Sequence, residues 1–256
     1  YLRVIIKNIL MFSWFKKKKV VLDPIDFSCL KTDIHSHLIP GIDDGAKDME
    51  GALLLIRALR DLGFKKIITT PHVMSDYYRN TPEIILGGLE KLQEKIIEEN
   101  IQVEISAAAE YNLDADFEPR IHTNELLTFG NKYVLFELPF MQEPPNIGSA
   151  VFEMQTNGYN PVLAHAERYP FWFRDFQKIV DLRERGVRIQ LNINSLTGYY
   201  GPEVRSVGER MIDEGCVDLL GSDCHHQGHI ELLYQAQKMP YLHRAIELPG
   251  LINKEL

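Results

Sequence analysis

The sequence predicts an α/β protein of one domain, built on a parallel sheet or barrel. Three observations carry that expectation. From about Leu30 onward, short β-rich runs alternate with helical patterns, the signature of βα units. Several runs, such as Lys66-Ile67-Ile68-Thr69-Thr70, are mostly apolar rather than alternating, as strands covered on both faces are. No repeat, low-complexity linker or composition shift interrupts the pattern after residue 30.

Seven runs read as strands: residues 30–35, 66–72, 103–110, 133–138, 161–165, 187–193 and 217–223. Between them Asp48 is placed to N-cap a helix that carries Met49, Ala52, Leu53, Ile56, Leu59 and Leu62 on one stripe, with Gly63 as its stop. Helices are also expected over 82–99, 148–157, 173–185 (stopped by Gly186) and 202–214 (stopped by Gly215). Most ends run within a few residues into the next strand, leaving little room for a domain boundary.

The composition, 45% hydrophobic and 25% charged over 256 residues, supplies a real core. A net charge of −8 argues against general nucleic-acid binding, which needs a basic face. Cys29, Cys216 and Cys224 form neither an even framework nor a Cys-x-x-Cys pair, so a reducing cytoplasm is expected. Residues 1–29 read as a tail outside the domain that begins at residue 30. Met11 is a candidate start within it. Phe12, Trp14 and Phe15 beside Lys16–Lys19 leave open a weak contact with the inner face of a membrane, although the segment is too short to span one. No oligomeric state is legible.

In parallel α/β folds ligands gather at the carboxyl ends of strands. Run one ends in His35 and His37, run two in His72, run three in Glu110, run four in Glu137, run five in His165, and run seven in Asp223 with His225. Run six ends in Asn192 and Asn194. Any one of these is ordinary as a loop cap. Together they mean convergent carboxylates closing apolar strands, an arrangement that repels itself unless cations are bound. A polynuclear metal site is therefore expected. Residues two apart on a strand share a face, so His35 and His37 reach one ion. Imidazoles suit Zn, Fe or Mn, and the carboxylates favour Mn2+.

With His35-x-His37, Thr70-Pro71-His72, the two glutamates, His165 and Ser222-Asp223-x-His225 in order, the sequence resembles the polymerase and histidinol phosphatase (PHP) superfamily. Within it, DIHSHLIPGIDDGAKDMEGAL, AEY, ELP, AHAERY and GSDCH are similar to the metal-dependent bacterial protein-tyrosine phosphatases of capsule and exopolysaccharide synthesis. The resemblance runs from Thr32 to the C-terminus. It implies a distorted (β/α)7 barrel of the TIM type with three metal ions. His35, His37, Glu110 and Asp223 would hold one, Glu110 bridging to a second held also by Glu137 and His165. Asp44, His72 and His225 would hold the third. Asp43 supports either the loop or the metal.

The implied reaction is hydrolysis of phosphotyrosine by water activated between two ions, with no phosphoenzyme. None of the cysteines is followed six residues later by arginine, as a cysteine phosphatase requires. Arg168 is the candidate catalytic phosphate clamp, alongside Asp223. The family's second arginine, expected after the final Asp-x-His, has no counterpart, so His226 or His229 is the candidate substitute. Tyr77, Tyr78, Tyr169, Phe171, Trp172 and Phe173 are candidate aromatic walls. The implied substrate is a phosphotyrosine protein, a tyrosine kinase of polysaccharide export. The alternatives are a histidinol-phosphate or other small-molecule phosphatase and a non-catalytic, metal-stabilised binding module.

Overall fold

The computed structural model describes residues 22–123 and 125–256. The basic, aromatic segment expected at a membrane face lies outside them. Two parallel ladders form the centre. β1 (Thr32–Asp33), β2 (Lys66–Thr69) and β4 (Glu104–Ala107) pair in that order, while β3 (His72–Val73), β5 (Glu110–Asn112), β6 (Tyr133–Glu137), β7 (Asn160–Leu163), β8 (Arg188–Asn192) and β9 (Leu219–Gly221) make the second. All these pairings are parallel.

Runs two and three, expected as single strands, are each broken in two. Pro71 has no N–H to donate and ends β2, although its carbonyl still accepts from Glu110 N at 3.1 Å. Ala108 and Ala109 make the matching break between β4 and β5. The chain turns at both points, so His72 and Glu110 open the second ladder instead of ending the first, and they stand side by side in its register.

The sheet curls until its first and last strands meet. Ser36 and Cys224 form a parallel bridge, with His37 N donating to Cys224 O at 2.9 Å and Asp223 N to His35 O at 2.7 Å. At the other end Asn253, fully buried, donates to the carbonyls of Thr32 and Leu220 and accepts from Leu220 N. One amide side chain thus staples β1 to β9.

The helices cover the outside. Asp48 Oδ1 accepts from Gly51 N at 2.8 Å and caps α1 (Met49–Asp61), which buries Ala52, Leu55, Ile56 and Leu59. α2 (Pro82–Glu98) is capped by Thr81, with proline in its first turn. α3 (Phe117–Thr123), α4 (Ile147–Thr156), α5 (Gln177–Glu184), α6 (Pro202–Asp213), α7 (Gln227–Ala236) and α8 (Pro240–Ile246) follow. The helix expected from residue 173 begins only at Gln177; 3-10 segments at Ala166–Arg168 and Pro170–Trp172 lead into turns over residues 173–176. α3, α7 and α8 have no counterpart among the expected helices. Pro119 inside α3 and Gly228 at the start of α7 weaken the local helical signal.

Residues ahead of 30 already belong to the core. Ile25 and Phe27 are buried, Phe27 stacks on Phe64 with ring centroids 5.0 Å apart, and Phe27 N donates to Leu62 O. No helix among the described residues is long and apolar enough to cross a membrane.

Candidate metal centre

The ligand-type residues named from the strand ends meet at the mouth of the curled sheet. Side-chain atoms of His37, Asp44, His72 and His225 lie within 4.8 Å of one another, as do those of three further sets: His35, His165 and Asp223; His35, His37 and Glu110; His72, Glu110 and Glu137. The sets share members, so this is one continuous cluster.

The backbone is shaped to deliver these groups. His165 and Asp223 have φ of 32° and 49°, left-handed values that cost free energy for a residue with a Cβ. Asp44 returns to the histidines through the loop that Gly41 turns (φ 72°) and that Ala46 N closes onto His37 O at 3.0 Å. Gly45 is needed inside it, since a Cβ there would come within 2.1 Å of His37 O.

Asp43, ambiguous in the sequence, faces the loop and His37. Its Oδ2 accepts from His37 Nδ1 at 2.8 Å and from His72 N at 3.1 Å, and its Oδ1 from Gly45 N at 3.0 Å. With Nδ1–H donated to Asp43, the lone pair of His37 Nε2 is directed at the cluster. His225 Nδ1 donates likewise to the carbonyl of Asp223 at 2.9 Å.

Charge is concentrated here. Burial pushes the Glu110 carboxyl up, but the imidazoles of His35 and His72 outweigh it and hold the group well below the usual carboxylate range. Burial likewise depresses His35, yet Glu110 and Asp223 raise it to about 9. The hydrogen bond from His225 brings Asp44 down to about 2. Glu110 Oε2 and His72 Nδ1 approach to 3.1 Å without forming a hydrogen bond, and both are otherwise unpartnered. His165 Nδ1 is also an orphan. Five histidines and four carboxylates, with buried lone pairs unused, are a donor set that fits divalent cations.

The cluster floors a cleft of about 690 Å³. Arg168 is the only arginine or lysine among the described residues lining it. Arg168 Nη1 donates to Asp223 Oδ2 at 2.8 Å, and its guanidinium lies 4.2 Å from the Tyr200 ring centroid and 5.2 Å from that of Phe140. His226 is exposed at the rim, its ring 4.0 Å from the buried His229. Tyr77 and Tyr78 line the cleft, and Tyr78 stacks on His72.

Tyr169 and Trp172 do not form walls: both are buried in the core, and the Tyr169 hydroxyl bridges Leu138 N and Ala164 O. Phe140, Tyr199 and Tyr200 stand in their place beside Tyr77 and Tyr78, and no motif marks them in the sequence. Asn192 both caps the turn after β8, accepting from Asn194 N, and donates to Asp223 Oδ2 at 2.8 Å. Asn194 donates to the carbonyls of Ser222 and His229.

A curled parallel α/β domain with a histidine-carboxylate cluster and one arginine at its mouth defines a hydrolase of the metal-dependent kind. The sequence model for the family described as capsular polysaccharide synthesis, CpsB/CapC, matches residues 31–243, and the chain belongs to that family. It is 29% identical over 195 residues to the tyrosine-protein phosphatase YwqE of Bacillus subtilis, spanning 76% of this chain and 77% of that protein. It is 26% identical over 194 residues to the putative tyrosine-protein phosphatase CapC of Staphylococcus aureus, spanning 75% and 76%. A solved structure from work on YwqE and Streptococcus pneumoniae CpsB, described as unique metal-dependent tyrosine phosphatases, superposes with a TM-score of 0.77. It is 27% identical, with 88% of this chain and 90% of that one covered.

Proposed function

We propose that the chain is a metal-dependent protein-tyrosine phosphatase acting on a tyrosine kinase of capsular or exopolysaccharide synthesis. The observation that carries the reading is the convergence of five imidazoles and four carboxylates, with Arg168, on the floor of one aromatic-walled cleft. The fold is read as a distorted (β/α)7 barrel that starts near Ile25, preceded by a tail. The proposed ligands are His35, His37, Glu110 and Asp223, with Glu137 and His165, and with Asp44, His72 and His225. Mn2+ is the proposed ion, with Fe or Zn as the other candidates.

Bound there, the ions supply activated water and neutralise phosphate oxygens. The remaining work falls to the protein. Arg168, held by Asp223 and stacked on Tyr200, lines the cleft and is the proposed donor to two phosphate oxygens through the N–H groups that Asp223 does not take. His226 is the proposed second phosphate contact. Phe140, Tyr78 and Tyr200 offer faces to the substrate's phenyl ring and exclude water from the ester. Three free cysteines fit a cytoplasmic setting.

The test is phosphate release by the Mn2+-loaded chain from a panel of phosphotyrosine peptide, p-nitrophenyl phosphate and histidinol phosphate. Preference for the phosphotyrosine peptide, abolished by chelation and restored by Mn2+, is expected. Preference for histidinol phosphate would transfer the reading to small-molecule hydrolysis, and inactivity with all three after reconstitution would sink it.

A further inference from the structure

β8 supplies none of the proposed ligands, yet it reaches into the cluster through Gln190 and Asn192, which are two apart and so share a face. Gln190 is fully buried. Its Oε1 accepts from the backbone N–H of His165 at 2.7 Å, so the amide cannot be turned around: the flipped orientation would set NH2 against N–H. The same oxygen lies 3.2 Å from His35 Nδ1. An acceptor in that position requires Nδ1 of His35 to carry the proton. In the neutral ring the lone pair of Nε2 then faces Glu110 Oε2 at 3.2 Å and Asp223 Oδ1 at 3.4 Å.

We propose that Gln190 is a positioning residue that fixes the tautomer and ring orientation of His35, and the backbone of His165, for cation binding. Two further features fit that role. Gln190 Nε2 is buried without a partner, a burial that costs stability and is tolerated for the sake of the acceptor end. Gly221 on β9 makes the space, because a Cβ there would come within 2.6 Å of Gln190 Nε2 and 2.7 Å of His35 Cβ. His37 is fixed in the same tautomer by Asp43, so both imidazoles of the His-x-His pair present Nε2 to the cluster.

The inference rests on the metal reading, and its test separates the two. Two substitutions are made in the full chain: Gln190→Met, which keeps the volume and removes the acceptor, and Gln190→Glu, which keeps an acceptor for both N–H groups. Imidazole 15N shifts of the chelator-treated chain, recorded above the pH of about 9 to which Glu110 and Asp223 raise His35, report the tautomer of the neutral ring without any metal. Competition by a chelator against the Mn2+-loaded chain reports retention of the ion. Gln190→Met should mix the two His35 tautomers and weaken Mn2+ retention by roughly 10–100-fold, the range for loss of such a supporting contact, while Gln190→Glu keeps the Nδ1–H signature. A wild-type chain that binds no Mn2+ but shows the pure Nδ1–H tautomer would sink the metal reading and leave the assignment of the tautomer standing. An unchanged His35 signature in Gln190→Met would overturn the inference. If that variant does not fold, loss of the signature in Gln190→Glu overturns it instead.

Discussion

The Arg168 guanidinium and the Asp223 carboxylate are joined at 2.8 Å across the mouth of the cleft, through the carboxylate oxygen that Asn192 also binds. Asp223 Oδ2 is thereby occupied on the β8 side. Oδ1 is left to face His35 and His37 at 3.4 and 3.6 Å. One residue ties the phosphate-binding arginine to the cation cluster.

Arg168→Lys is therefore not conservative. A lysine keeps the charge but loses the planar fork and the stacking on Tyr200. Steady-state assays with p-nitrophenyl phosphate should show kcat/KM lower by about 100-fold, in the range for loss of one donor to a developing negative charge. Activity within about twofold of the unaltered enzyme would remove Arg168 from the site.

Asp43→Ala removes the acceptor that orients His37 and leaves the loop amide of Gly45 unpaired. Metal affinity, measured by titration calorimetry after chelation, should fall by about 10–100-fold. Asp43→Asn keeps an acceptor and should lie between the two.

Glu167 gives a stability that depends on pH. Burial raises its carboxyl to about 7, against hydrogen bonds from Ser195 Oγ and Asn192 N that favour the ionised form. Its ordinary value is near 4.5. Between those two values the folded chain holds a proton that the unfolded chain has released. Its contribution is therefore full below about 4.5, falls as pH rises, and is gone above about 7. The total is on the order of 3 kcal/mol. Urea unfolding of the chelated protein from pH 5 to pH 8 should show this decline, and Glu167→Gln, which still accepts both hydrogen bonds, should flatten it. Parallel curves for the two proteins would refute the assignment.

Phe27→Ala tests where the domain begins. The ring is fully buried against Phe64, so truncation should cost about 3–5 kcal/mol in chemical denaturation. A loss below about 1 kcal/mol would return residues 25–29 to the tail.

The sequence by itself determined the alternation of strands and helices, because burial on both faces of parallel strands requires continuous apolar runs and helices announce their ends with Asp48, Gly186 and Gly215. It also determined which residues are of ligand type, since imidazoles and carboxylates at so many strand ends are too costly to place there without cations. Only the tertiary structure decided how those residues meet. The breaks at Pro71 and at Ala108-Ala109 move His72 and Glu110 into the second ladder, and the Ser36–Cys224 bridge brings Asp223 beside His35. Gln190, Phe140 and Tyr200 were illegible for the same reason. An amide or a loop aromatic acquires its role from a neighbour tens of residues away, and one chain read linearly records no such distance.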